Sequence, residues 1–194
     1  MITVFGSLNV DYIFQVPQLP APGETVLASN MQVLPGGKGA NQAVAAARAG
    51  AKVSMVGAVG RDALSKIALA GLLDAGVDTS AVALSTKPTG TAAINVDAQG
   101  ENAITVSSGA NLDARGDSLD EKNLTPRTTV LLQMEVPMTA MADLVQRARK
   151  KESCIVWNLA PMQCVDLALL KQVNCLIVNA VSYTHLRAHE TTCD

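Results

Sequence analysis

A chain of 194 residues with a net charge of −2 can bury a sizeable core in one domain, at most two, and has no surplus positive charge for gripping nucleic acid. Hydrophobic residues make up 48% and aromatics only 3%, so the core is built from Ala, Val and Leu. No apolar run reaches the ~18 residues that cross a bilayer, and residues 1–10 lack the charged start and long apolar centre of a signal peptide, which points to a cytoplasmic chain. Its four cysteines (Cys154, Cys164, Cys175, Cys193) lack C-x-x-C spacing and read as reduced, buried thiols.

Ile2–Phe5 is a short apolar run that ends at Gly6 and predicts a buried strand. Asn9 and Asp11 follow, two apart, and so share one side of an extended segment. They either face a cleft at the strand's end, where open α/β sheets bind ligands, or form a solvated turn. Pro20-Ala21-Pro22-Gly23 makes a stiff turn into a strand-like stretch, Thr25–Leu34.

Gly36-Gly37-Lys38-Gly39-Ala40-Asn41-Gln42-Ala43 is the most informative segment. Its glycines let the backbone turn tightly and approach a ligand. The Ala-rich helix predicted over Asn41–Ala49, closing at Gly50, adds unpaired N–H groups and a positive dipole end. Lys38 and Asn41 supply further donors, so the segment suits hydroxyls or an anion. It is not a Walker A loop, because Gly39 stands where Ser or Thr must bind magnesium, nor is it a G-x-G-x-x-G fingerprint. Taken alone, it also fits an ordinary loop before a helix.

Farther along, strands are predicted at Val53–Val56, Val130–Met134, Ile155–Trp157 and Leu176–Val178. Helices are predicted at Leu64–Ala75, Pro137–Lys151 and Val165–Gln172. This alternation argues for a doubly wound α/β sheet. Asp11–Leu34 and Thr89–Ser108, the latter turning at Asp97-Ala98-Gln99-Gly100, read instead as strands of a small sheet outside the main one. Glu135 directly follows an apolar strand and is either a ligand-binding carboxylate or an N-cap-like residue before Pro137.

The ordered series Gly-Ser-Leu-Asn-Val-Asp (6–11), Pro-Gly-Glu-Thr (22–25) and Gly-Gly-Lys-Gly-Ala-Asn-Gln-Ala (36–43) resembles the ribokinase (PfkB) family of carbohydrate kinases. Agreement continues through Gly57–Asp62, Thr89–Ala92, Gly109-Ala110-Asn111, Gln133-Met134-Glu135 and Asn158–Pro161, to about residue 179. The resemblance implies a ribokinase-like α/β domain over 1–180, with lid segments at about 11–34 and 89–108 that cover a sugar and form a homodimer contact. It implies transfer of the ATP γ-phosphoryl group to D-ribose, giving ribose 5-phosphate, with Mg²⁺ and in some members a monovalent cation. Residues matching the family's sugar-binding positions are Asn9, Asp11, Gly37, Lys38, Gly39, Asn41 and Glu135. Gly109-Ala110-Asn111 is expected near the site, or is merely the loop that ends a hairpin.

Asn179 matches the first residue of the family's Asn-x-x-Glu motif near the phosphates, but Ser182 stands where the Glu belongs. From Val181 the resemblance stops, and residues 181–194 read as an aberrant tail. His185, His189, Glu190 and Cys193 there have zinc-ligand chemistry without H-E-x-x-H order. No Asp-Thr-x-Gly-Ala-Gly-Asp-type motif occurs, so the expected catalytic base is absent from the chain. The chain is therefore expected to hold sugar without catalysis and to be poorly soluble, with an apolar sheet edge exposed. The alternatives are a non-catalytic sugar-binding fragment, or a sibling enzyme such as a fructokinase or nucleoside kinase.

Overall fold

The computed structural model describes residues 1–161 and 163–179. The sequence expectations for 181–194, including the histidine and cysteine cluster, lie outside the described residues. In chain order the strands are β1 (Ile2–Phe5), β2 (Asn9–Gln15), β3 (Asn30–Gly36), β4 (Val53–Gly60) and β5 (Asp78–Ser85), then β6 (Gly90–Val96), β7 (Asn102–Ser107), β8 (Thr129–Leu132), β9 (Cys154–Asn158) and β10 (Cys175–Ile177). The helices are α1 (Lys38–Arg48), α2 (Leu64–Asp74), α3 (Met138–Lys150) and the single turn α4 (Leu167–Leu170).

The main sheet has the order β10-β9-β8-β1-β4-β5 and is parallel throughout. Strands buried on both faces read as continuous apolar runs, because successive side chains feed opposite core layers. Val4 enters a layer with Leu8, Met55 and Leu72 beneath α1 and α2; Phe5 enters the other, with Leu132, Trp157 and Leu144, beneath α3. From β1 the chain winds outward through β4 to β5, then returns to β1's other side and winds through β8 to β9 and β10. The carboxyl ends of β1 and β8 thus flank the point where winding reverses, the position at which open α/β sheets form a ligand crevice.

A second sheet, β3-β2-β6-β7, is joined through the parallel β2–β6 pair, with β3 and β7 antiparallel at its edges. Its β6–β7 turn closes with Gly100 N–H donating to the Asp97 carbonyl, Gly100 taking a φ of +83°. Asp62 joins this sheet to the main one: its carboxylate accepts from the Thr89 N–H (2.8 Å), the Thr89 hydroxyl (2.7 Å) and the Ser65 N–H (3.1 Å). The Thr89 N–H above all holds the Asp62 carboxyl below the usual carboxylate range, against the opposing effect of burial.

Several boundaries differ from the sequence reading. Helix α1 starts at Lys38 rather than Asn41, because an acceptor from elsewhere in the fold caps it. β3 starts at Asn30 rather than Thr25, and β4 runs on through the glycine-rich Gly57–Gly60, where a Cβ on Gly57 would meet the Gly6 carbonyl oxygen and one on Gly60 the Thr89 nitrogen. β5 was not anticipated, and the stretch read as a helix over Val165–Gln172 yields only the four residues of α4. Cys154 and Cys175 are free thiols but exposed rather than buried, and Cys164, also exposed, is disulfide-bonded. At the sheet's end Leu176 and Ile177 of β10 are exposed, as is Leu167 of α4. No helix among the described residues is long and apolar enough to cross a membrane.

Candidate functional site

At the carboxyl end of β1, the backbone of Gly6 and Ser7 passes directly under the first turn of α1. A Cβ on Gly39 would lie 2.6 Å from both Gly6 C and Ser7 N, so only glycine permits this crossing. Gly37 precedes the helix with a φ of +90°, and a Cβ there would lie 2.8 Å from the Ser7 carbonyl oxygen. The Ala40 N–H donates back to that carbonyl at 2.9 Å, fastening the helix start to the strand.

No side chain of its own segment caps α1, and its first turn has no acidic residue. Glu135, just beyond β8, takes that place. Its Oε2 accepts from the Lys38 N–H (3.0 Å) and from the Ser7 hydroxyl (2.5 Å), and its Oε1 accepts from Lys38 Nζ (2.9 Å). Ser7 Oγ in turn accepts from the Gly39 N–H at 3.3 Å. A carboxylate at a helix N-terminus is stabilised by the dipole and by the unpaired N–H groups. Glu135 is therefore no cap for α3, where Pro137 is the capping residue and contributes no side-chain bond.

Asn9 opens β2, and Asp11 follows on the same face. Asn9 is 3% exposed, and its Oδ1 accepts from Asn111 Nδ2 at 2.7 Å. Asp11 lies over Gly36 of β3, where an added Cβ would fall 2.1 Å from its carboxylate. Burial, and next the neighbouring Glu135 charge, raise the Asp11 carboxyl above its usual range, while Lys38 opposes them. Asp11, Glu135 and Lys38 thus act on one another across a shared space. A cleft of about 280 Å³ opens beside them, lined by Asn9, Asn111, Glu135, Met138 and Pro161 among others. The segment after β9 walls it: Met134 N–H donates to the Ala160 carbonyl, and Gln163 Nε2 donates to the Met134 carbonyl.

The fold therefore gathers Asn9, Asp11, Gly37, Lys38, Gly39 and Glu135. Asn41 is on α1 but exposed, facing a separate depression with Pro35 and Val44, and no described hydrogen bond ties its side chain to Asp11 or Glu135. Asn179 lies beyond β10 and does not line the cleft. Ser7 was missed by the sequence reading: a serine after a strand-ending glycine looks like turn chemistry, and its link to Glu135 appears only once β1 and β8 lie side by side. Two acidic acceptors, an amide and an ammonium within one space suit a ligand with several vicinal hydroxyls, each able to donate and accept.

A family profile described as pfkB family carbohydrate kinase matches residues 1–190, running into the segment that read as an aberrant tail. The chain is 37% identical to a ribokinase of Haemophilus influenzae over 181 residues, covering 92% of this chain and 59% of that protein. It is 38% identical over 164 residues to a ribokinase of Bacillus subtilis, covering 82% of this chain and 55% of that protein. A crystal structure of ribokinase from Thermotoga maritima superposes with a TM-score of 0.87 at 31% identity, covering 98% of this chain and 63% of that one. An Arabidopsis thaliana ribokinase complexed with ribose and ATP gives a TM-score of 0.83 at 30% identity, covering 96% of this chain and 62% of that one. Fold, glycine cradle and sequence agree: the chain belongs to the pfkB family of carbohydrate kinases.

Proposed function

We propose that the cleft binds a pentose, D-ribose, as the sugar half of an ATP-dependent kinase that forms ribose 5-phosphate. The observation that carries this reading is the convergence of Asp11, Lys38 and Glu135 at the crevice beside β1 and β8. Similarity to an Arabidopsis protein complexed with ribose and ATP supports it. Asp11 and Glu135 accept from sugar hydroxyls, while Asn9 and Lys38 donate. Gly37 and Gly39 admit the ligand close to backbone, and the second sheet covers the bound sugar.

ATP with Mg²⁺ would supply the phosphoryl group, which passes to a sugar hydroxyl as ADP leaves and the hydroxyl proton goes to a base. Among the described residues no group of three His, Cys, Asp or Glu is placed to hold a metal ion, so no step is assigned through magnesium or a monovalent cation. Asn179 is the residue proposed nearest the phosphates. The 194-residue chain is proposed to bind ribose weakly and to transfer no phosphate by itself, in a cytoplasmic setting.

Isothermal titration with ribose, beside a coupled ADP-release assay, tests both halves. Saturable millimolar binding without turnover is expected; ribose phosphorylation above background would overturn the second half, and silence at tens of millimolar the first. A homodimer through the second sheet is also proposed. Leu34, Ile104 and Val106 lie exposed on the face that carries Asp11, and β7 is exposed along its whole length. A purely monomeric boundary in sedimentation at high concentration would remove that proposal.

Because burial and Glu135 raise the Asp11 carboxyl, its ionised form costs the empty fold stability. That cost grows as pH climbs from the ordinary carboxylate value through the raised one. Asp11→Asn is expected to lack this slope and to melt at higher temperature at pH 7 than the parent chain. Ribose binding should weaken by about tenfold to a hundredfold, the loss of one charged hydrogen bond. Melting curves across pH 4–8 and titration of the same samples check both effects.

A further inference from the structure

We infer that Asn111, on the one-turn helix Gly109–Asp113, is a positioning residue that decides which end of the Asn9 amide meets the ligand. This rests on the sugar-cleft reading above. Asn111 is 1% exposed and lies 102 residues from Asn9 in sequence. The Leu8 backbone N–H donates to Asn111 Oδ1 at 2.9 Å. A backbone N–H can only donate, so it fixes that end of the Asn111 amide as oxygen. Asn111 Nδ2 must then point the other way, where it donates to the Leu8 carbonyl (3.3 Å) and to Asn9 Oδ1 (2.7 Å).

With its oxygen so engaged, Asn9 keeps Nδ2 for the cleft that it lines. The polarity of one backbone N–H is thereby passed through Asn111 to the binding surface. Gly90 of β6, paired with Asn9 across the β2–β6 register, makes room for the two amides: a Cβ there would lie 2.3 Å from Asn9 Oδ1 and 2.4 Å from Asn111 Nδ2. The chemical consequence is a donor set beside the acidic pair. An Asn9 turned the other way would add a third acceptor next to Asp11 and Glu135.

The test uses the full chain, ¹⁵N-labelled, with the Asn9 and Asn111 side-chain amides assigned. In the unliganded parent chain the Asn111 amide protons, donated to the Leu8 carbonyl and to Asn9 Oδ1, should exchange slowly. Both Asn9 amide protons should exchange fast until ribose is added. Asn111→Asp puts an acceptor-only group opposite Asn9 and should turn it, so that its Nδ2 protons become protected without ribose. Ribose binding should then weaken about tenfold or more, more than in Asn111→Ala, which leaves Asn9 able to take either orientation. Protected Asn9 amide protons in the unliganded parent chain, or an Asn111→Asp variant binding ribose within twofold of it, would overturn the inference. If the parent chain binds no ribose at all, the sugar reading fails, while the exchange data still decide the orientation of Asn9.

Discussion

Glu135→Ala is expected to abolish measurable ribose binding and to destabilise the empty chain by about 2 kcal/mol, because it strips three donors of one acceptor group. The Ser7 hydroxyl is fully buried and the Lys38 N–H sits at a helix start, so neither readily finds water in exchange. The Lys38 ammonium, at 40% exposure, adds little to the cost because it rehydrates. Glu135→Gln separates the two roles. Its amide oxygen can still accept from Ser7 or the Lys38 N–H, so stability should fall by only about 1 kcal/mol, while the charge that draws Lys38 and holds sugar hydroxyls is gone. Urea unfolding and titration on the same preparations check this; an alanine variant as stable as its parent would show that the carboxylate does not cap α1.

Gly39→Ala should be strongly damaging, at about 3 kcal/mol or beyond, since its new methyl meets main chain that cannot swing away. Gly36→Ala is the instructive contrast. There the obstacle is the Asp11 carboxylate at 2.1–2.3 Å, a side chain that can rotate, so stability should fall far less. What moves is a ligand-binding group, and ribose affinity should drop about tenfold. Gly23 and Gly76 have nothing near a would-be Cβ, and only their positive φ argues against alanine, at about 1 kcal/mol. Chemical denaturation of the four variants orders them; a Gly39→Ala chain no less stable than Gly76→Ala would refute the tight crossing.

The parallel sheet was legible because strands buried on both faces carry apolar runs, unbroken in Val130–Leu132 and broken only by Ser54 in Val53–Val56. β5 escaped because it begins Asp78-Thr79-Ser80 and lies at the sheet's edge, half exposed, where burial does not purify composition. The start of α1 was misplaced by three residues, Lys38 against Asn41, for a different reason. Its cap comes from a residue 97 positions away, so local capping rules see none. In the site, motif order singled out Asn9, Asp11, Lys38 and Glu135, yet whether Glu135 served α3 or the cleft was undecidable until β8 was placed beside β1.

The bond between Ser7 and Glu135 spans 128 residues of chain. A polypeptide leaving the ribosome therefore carries its glycine turn and Lys38 long before the acidic partner emerges. Until that partner arrives the start of α1 stays uncapped and the ammonium unmatched, so competence to hold a sugar should switch on late and abruptly during synthesis. Stalled nascent chains ending shortly before and well after residue 135 would bracket that moment.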